Sequence, residues 1–531
     1  MLKETAVVKK KGQQHVSATT PTSQPRSIIT YNPSRRDLLF GGIALLLAPA
    51  AKAFARSLQT RSFDVAVIGA GTAGIPTALF CARRGARVLL IEKSATLGGT
   101  LHWSTGQVAA AGTVFQARLG IEDTPELHYS DCMRINGGTS DPALTRLAVE
   151  NAGRSLNWLV AHGYEVMDGH PVTGIGHDHY ETRRYQQGIR SGLSILEVYL
   201  PALRKEISSG QITLALQTEA VELMQRTSGG PVTGVLLRTA EGELQDALAS
   251  NTVITTGGCA SNARLFEELH GVPLYANAAY PTAKGEGLLL GLAAGGWLRG
   301  GEKFTCLPGM VPREHRYPTT MYATAPLNPN LRQPWEILVN AKGQRFVRED
   351  HESVTDIEHA ITAQPGQRHW AIYDQAILDA GPPLIPGWSR RKLAAEYQVH
   401  PMFQRADSID LLGLRAGLNA VELSKAIAGY NQSIENGEPD VFGRKHRPLP
   451  IAKPPFYSVE MQGWTVLSFA GLAVNNELQV TRPDGKAIPG LYAAGEVLGA
   501  GATSGSAYTN GMMVTPAITF AQLLGEKILP L

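Results

Sequence analysis

Gly69, Gly71 and Gly74 stand in the spacing G-x-G-x-x-G, and an acid, Glu92, follows 23 positions after the first glycine. Together they can hold a dinucleotide. The first glycine permits a tight turn, the second lets a pyrophosphate approach the backbone, and the third lets a helix pack close to a strand. Ala70, Thr72 and Ala73 complete the loop, whose N–H groups would face the phosphates at a helix start. Glu92, with Lys93 beside it, can accept hydrogen bonds from ribose hydroxyls. That chemistry requires a strand before the glycines and a helix after them. Residues 63–68 (FDVAVI) form a short apolar run suited to a buried parallel strand, a helical stretch runs to Arg84, and residues 86–91 (ARVLLI) give a second strand ending at the acid.

Further glycine turns lie far from this unit. Gly98, Gly99 and Thr100 come soon after Glu92, followed by Gly106. A strand ending in Thr256 and Gly257 comes much later, and IPGLYAAGE, ending in Glu496, lies near the C-terminus. A purely NAD-binding domain has no use for such distant turns. A flavin is larger, and its ribityl chain and ring need extra backbone contacts from the same sheet.

Composition bounds the rest. The chain has 531 residues, 43% hydrophobic and 18% charged, which argues for ordinary globular domains and against global disorder. A net charge of +3 is too small to indicate nucleic-acid binding. Residues 1–55 carry eight basic side chains against two acidic ones, so the remainder is mildly acidic. That segment contains SRRDLL at 34–39, an apolar run at 41–47 and small residues at 51, 53 and 55. This is the order of a secretory signal of the twin-arginine type, too short in its apolar part for a membrane anchor. Export to the periplasm is the expectation. The four cysteines are far apart with no CxxC, which excludes a zinc ribbon and an attached c-type haem.

The segments DVAVIGAGTAG, IEKSATLGGT, TTGG and IPGLYAAGE resemble the flavoprotein superfamily of soluble fumarate reductases and 3-ketosteroid Δ1-dehydrogenases, over roughly residues 62–531. The resemblance implies an α/β fold: a Rossmann-type FAD-binding domain with an inserted α+β capping domain. The expected division is a signal at 1–55, FAD domain at 56–270, cap and helical return at 271–454, and FAD domain again at 455–531. It implies FAD contacts from Gly69, Gly71, Gly74 and Glu92, and from Gly98, Gly99, Thr100 and Gly106 around pyrophosphate and flavin. Ala220 would meet the adenine, Thr256 and Gly257 would close the adenosine side, and Glu496 would bind the ribityl chain. Met513, Val514 and Thr515 would start a final helix aimed at the flavin pyrimidine edge. The turn before Gly287 would enter a helix under the flavin. Attachment is expected to be non-covalent, because Thr100 stands where covalent members carry a histidine and His102 is offset.

At the substrate site the chain departs from the fumarate reductases. Their three anion-binding positions carry Ser353, Ser468 and Tyr508, so a dicarboxylate clamp is missing. Ketosteroid dehydrogenases use tyrosines, and by that resemblance Tyr508 with the Gly511 N–H would hold a ketone oxygen and stabilise an enolate. The base would come from Ser353 or its neighbour His351. Trp103, Tyr322, Trp464, Phe469 and Met512 would suit an uncharged cyclic or aromatic substrate. The expected activity is FAD-dependent dehydrogenation of a CH–CH bond beside a carbonyl. The alternatives are an exported enone or enoate reductase and a non-catalytic electron-transfer subunit. No haem motif lies in the chain, so the electron partner would be a separate cytochrome or the quinone pool.

Overall fold

The computed structural model describes residues 62–529. The basic N-terminal segment with its twin arginines lies outside the described residues.

The apolar run around residue 65 becomes the central strand Ser62–Ile68, with Val65, Ala66 and Val67 fully buried. Burial on both faces demands cover on both sides, which is the parallel-sheet solution. Strands Val88–Ile91 and Leu244–Ile254 flank it in parallel register, with Ile212–Ala215 beyond the first and Ala487–Ala493 beyond the second. Leu244–Ile254 is long enough to change partners along one edge. Its first half pairs with the antiparallel strand Val232–Arg238 and its last residues with Ala487–Ala493. Strand Glu219–Gln225 closes that excursion.

Helix Gly74–Arg83 follows the glycine loop and packs against the C-terminal helix Val514–Lys527. The contact is close: a Cβ on Gly525 would lie 2.3 Å from the Phe80 Cβ. Elements from the two ends of the described residues thus share one core.

A second, antiparallel sheet forms the cap. Phe456–Trp464 lies inside it, between Leu307–Pro312 and Arg368–Asp374 and also paired with Phe403–Ala406. Met321–Thr324 and Ile337–Val339 are the outer strands. Helices Val354–Thr362, Arg390–Val399, Ile409–Ala416 and Ala420–Glu435 accompany it. This corrects both cap boundaries. Helix Glu286–Ala293 packs into the first core, and the two-residue strand Leu298–Arg299 pairs with Gly471–Leu472, so the cap begins near 304 rather than 271. It ends near 464 rather than 454, because Phe456–Trp464 is an inner strand of the cap sheet. A small third cluster, Leu467, Phe469, Ala500 and Tyr508, packs with Phe304, Leu307 and Met513 where the two cores meet.

The block RFVRED is a structural anchor of the cap. Arg345 pairs with Glu349 at 2.7 Å and with Asp440 at 2.5 Å, and Arg444 donates to the carbonyls of Pro334 and Glu336. All four ionic side chains are buried.

Candidate active site

A cavity of about 420 Å³ runs from the first strand's C-terminal end to the junction of the two cores. It opens at the carboxyl ends of parallel strands, as α/β ligand sites do.

The glycine loop is built for close approach. Gly69 has φ 98°, and a Cβ there would come within 2.7 Å of the Thr255 carbonyl oxygen; a Cβ on Gly74 would strike the Gly69 oxygen at 1.7 Å. Gly71 has only the Gly99 Cα within 4.0 Å, so its free side is left for a ligand. The N–H groups of Gly71, Thr72 and Ala73 find no acceptor among the described residues, and all three residues line the cavity. Orphaned donors at a helix start suit a pyrophosphate. Glu92 accepts from the Ala70 and Ser94 N–H groups, each at 2.8 Å, which fixes its carboxylate at the cavity wall. Lys93 bridges to Glu286 and the Thr282 carbonyl. The start of the helix at Glu286 is thereby tied to the Glu92 end of the cavity.

Ala220, Thr256, Gly257, Gly99, Thr100 and Gly106 also line the cavity. Ser104 Oγ, Thr256 Oγ1 and Thr509 Oγ1 are buried with no partner, and their residues lie along its length. At the far end, the N–H groups of Gly511, Met513 and Val514 have no acceptor among the described residues. This row of unpaired donors and acceptors fits FAD along its whole length. Glu496 lines the middle, and burial pushes its carboxyl up to about 7 while the Ser468 and Gly258 N–H groups pull it back.

Two expected cofactor contacts are structural instead. Gly98 does not line the cavity; its N–H donates to the Ala70 carbonyl, and its left-handed turn is walled by Leu196 and His102. Thr515 Oγ1 accepts from the Ala109 N–H at 2.8 Å and so ties the final helix to strand Gln107–Ala109. His102 is held by the Leu97 carbonyl at 2.8 Å and does not line the cavity.

The substrate end differs from expectation at eight residues. Tyr508 lines the cavity with its ring, but its hydroxyl donates to the Thr305 carbonyl at 3.2 Å and lies 3.3 Å from Thr465 Oγ1. His351 and Ser353 do not reach the cavity. Ser353 is the N-cap of helix Val354–Thr362 and donates to Asp178 at 2.7 Å, while His351 accepts the Ser353 N–H and faces Asp356. A capping hydroxyl and a surface imidazole have no access to a substrate there. Ser468 is fully buried and accepts the Cys259 N–H; its neighbour Leu467 takes the cavity-facing position. Of the five expected aromatic or apolar contacts only Trp103 lines the cavity, at its exposed rim.

The residue that motif reading missed is His177. It lines the cavity at the substrate end, stacks on Tyr508 with centroids 5.2 Å apart, and meets buried Glu358 through Nδ1 at 3.1 Å. GIGHDHY has no periodicity, and the partner carboxylate lies 181 positions away, so only the folded chain joins them. Leu307, Val466, Leu467 and Met513 complete this end, and no arginine lines the cavity among the described residues. Arg345 and Arg348 are both engaged by carboxylates in the cap.

Comparison with known proteins agrees with this geometry. The family described as FAD binding domain matches residues 64–509. The fumarate reductase (cytochrome) of Shewanella frigidimarina is 28% identical over 475 residues, covering 87% of this chain and 76% of that protein. The vinyl phenol reductase of Lactiplantibacillus plantarum is 26% identical over 461 residues, covering 82% and 89%. The crystal structure of 3-ketosteroid Δ1-dehydrogenase from Sterolibacterium denitrificans superposes with a TM-score of 0.69 at 19% identity, covering 88% of this chain and 99% of that one. With the cradle, the orphaned donors and the family match together, the chain belongs to the FAD-binding domain family and is an FAD-dependent oxidoreductase acting on CH–CH or C=C bonds.

Proposed function

We propose that the enzyme transfers hydride between FAD and a carbon of an uncharged, cyclic or aromatic substrate, at a CH–CH or C=C bond conjugated to a carbonyl or a ring. One observation carries this reading: the substrate end is walled by Leu307, Val466, Leu467, Met513 and the Tyr508 ring, and among the described residues His177 is the one imidazole there, with no arginine or lysine. A dicarboxylate placed there would lose its hydration with no arginine to replace it, at a cost of several kcal/mol per uncompensated charge (roughly). When bound, FAD supplies the two-electron acceptor and donor. The residues around it do the rest. The glycine loop and Glu92 would hold the adenosine diphosphate, and the unpaired N–H groups of Gly511, Met513 and Val514 would favour negative charge on the flavin ring. The apolar wall excludes water.

The relatives named as reductases support the saturating direction, with a separate cytochrome or quinol-linked donor as electron source. Among the described residues no helix is long and apolar enough to cross a membrane. The test is anaerobic: holoenzyme reduced with dithionite is mixed with cyclohex-2-enone, 4-vinylphenol or fumarate. At least one neutral alkene should reoxidise the flavin, while fumarate leaves it reduced. Rapid reoxidation by fumarate would refute the substrate class.

A further inference from the structure

We propose that His177 is the residue that exchanges the substrate proton through Nε2, and that Glu358 positions it; this rests on the hydride chemistry above. His177 Nδ1 meets Glu358 Oε1 at 3.1 Å, and the carboxylate side chain is only 1% exposed. Its other oxygen, Oε2, is buried with no partner. Among the described residues the imidazole is therefore the one side chain bonded to this acid. With Nδ1 occupied, Nε2 has no partner among the described residues and stays accessible at the cavity wall, where the side chain is 20% exposed.

The approach is held from several sides. Asp178 accepts from Ser353 Oγ at 2.7 Å and from the Val354 N–H at 2.6 Å, so it caps helix Val354–Thr362 from outside. Glu358 lies one turn further along that helix, and docking Asp178 at its start brings the preceding residue, His177, against the acid. Asn510 fixes the same loop by accepting the Ile175 N–H at 3.2 Å and donating to the Asp178 carbonyl at 2.9 Å. The Tyr508 ring stacks on the imidazole at an interplanar angle of 15°. The histidine thus sits between the cap helix and the loop that leads into the flavin-facing turn.

The step balances in both directions. In saturation, one alkene carbon takes a hydride from the reduced flavin and the neighbouring carbon takes a proton from His177 Nε2. The alkene gains two electrons and two hydrogens, the flavin ends oxidised, and His177 recovers its proton from water at the exposed edge of the ring. In desaturation, Nε2 accepts the proton as the adjacent carbon gives up hydride. Burial raises the Glu358 carboxyl above its ordinary value while His177 lowers it, with Asp178 raising and His359 lowering it further. The Tyr508 hydroxyl and the Cys306 thiol also sense this carboxyl.

The experiment uses holoenzyme reduced with dithionite and reoxidised by cyclohex-2-enone or 4-vinylphenol. His177→Ala should keep its FAD and its reduction by dithionite but reoxidise about 10²-fold or more slowly, and added imidazole should restore part of the rate. Glu358→Gln should also slow reoxidation. In [¹⁵N]histidine spectra of the oxidised holoenzyme, its His177 Nδ1 signal should move from the wild-type position, because the charged partner of Nδ1 has become a neutral amide. A His177→Ala enzyme with the wild-type rate overturns the proposal, as does a His177 Nδ1 signal unmoved by Glu358→Gln. If neither alkene reoxidises the wild type, the substrate reading has failed, and the Nδ1 signal alone decides the pair.

Discussion

Glu496 shows how one carboxyl can be tuned by what lies beside it. Its folded-state value of about 7 stands above the ordinary 4.5 because burial penalises the anion. A raised carboxyl favours folding fully below its unfolded value, and that contribution is lost as pH rises through the folded one. The apoprotein should therefore lose stability between about pH 4.5 and 7. The side chain is only half-buried by exposed area, so the loss should be about 1–2 kcal/mol, less than the full shift implies. Glu496→Gln should flatten that part of the apoprotein's thermal stability profile. In holoprotein, ribityl hydroxyls donating to the carboxylate would favour the anion, and the wild-type profile should flatten as well. A wild-type apoprotein with no pH dependence in this range would remove Glu496 from the argument. Tyr508 is a second residue whose surroundings decide its use. With its hydroxyl on the Thr305 carbonyl, Tyr508→Phe should cost about 1 kcal/mol of stability and change alkene-driven flavin reoxidation by no more than a few-fold. A fall of about 10²–10³ would restore the hydroxyl as an oxyanion donor.

The same distinction operates between elements. Strand Ser62–Ile68 and helix Gly74–Arg83 were legible because a buried parallel strand is a continuous apolar run and the glycine spacing marks the turn that follows. Strand Phe456–Trp464 was not assigned to the cap. FYSVEMQGW reads as polar, yet Ser458, Glu460 and Gln462 are buried because strands pair with it on both edges and Arg368 meets Glu460. Spacing along the chain also misled at Ser468, where the neighbour Leu467 faces the cavity, and at Ser353, where the hydroxyl starts a helix. Gly511 belongs to this scale, since it joins the flavin-facing turn to strand Gln107–Ala109. It has φ 76°, and an added Cβ would lie 2.6 Å from the Ala109 N. Gly511→Ala should force that strand and the final helix apart and weaken FAD retention, read as flavin released on gel filtration. Gly443→Ala is the matched control, with the same φ of 76° but open space around it. It should carry the backbone strain of about 1–2 kcal/mol and keep its flavin. Equal flavin loss in both variants would assign the effect to strain and not to the turn.

Over the whole molecule, the cavity is assembled from residues that span nearly the entire folded chain, from Ile68 to Ala517. The loop that would hold pyrophosphate leads into helix Gly74–Arg83 and the N–H groups at the flavin end lie at the start of helix Val514–Lys527, and those two helices pack together. FAD therefore has no complete site until the C-terminal helix has docked. A chain threaded unfolded across a membrane would reach the far side before that site existed. The twin-arginine type of signal expected from residues 34–39 would remove this difficulty, because that route carries folded proteins. Flavin loading should then precede export. Changing Arg35→Lys together with Arg36→Lys should hold the protein in the cytoplasm, folded and yellow, with the same FAD-to-protein ratio as the exported enzyme. Removing the last helix from Val514 onward should leave a chain that neither binds FAD nor appears outside, even with both arginines intact. Undiminished periplasmic yield of the double-lysine variant would refute the twin-arginine route. Periplasmic recovery of the truncated chain would break the link between cofactor loading and export, since it would mean passage does not wait for the site to close.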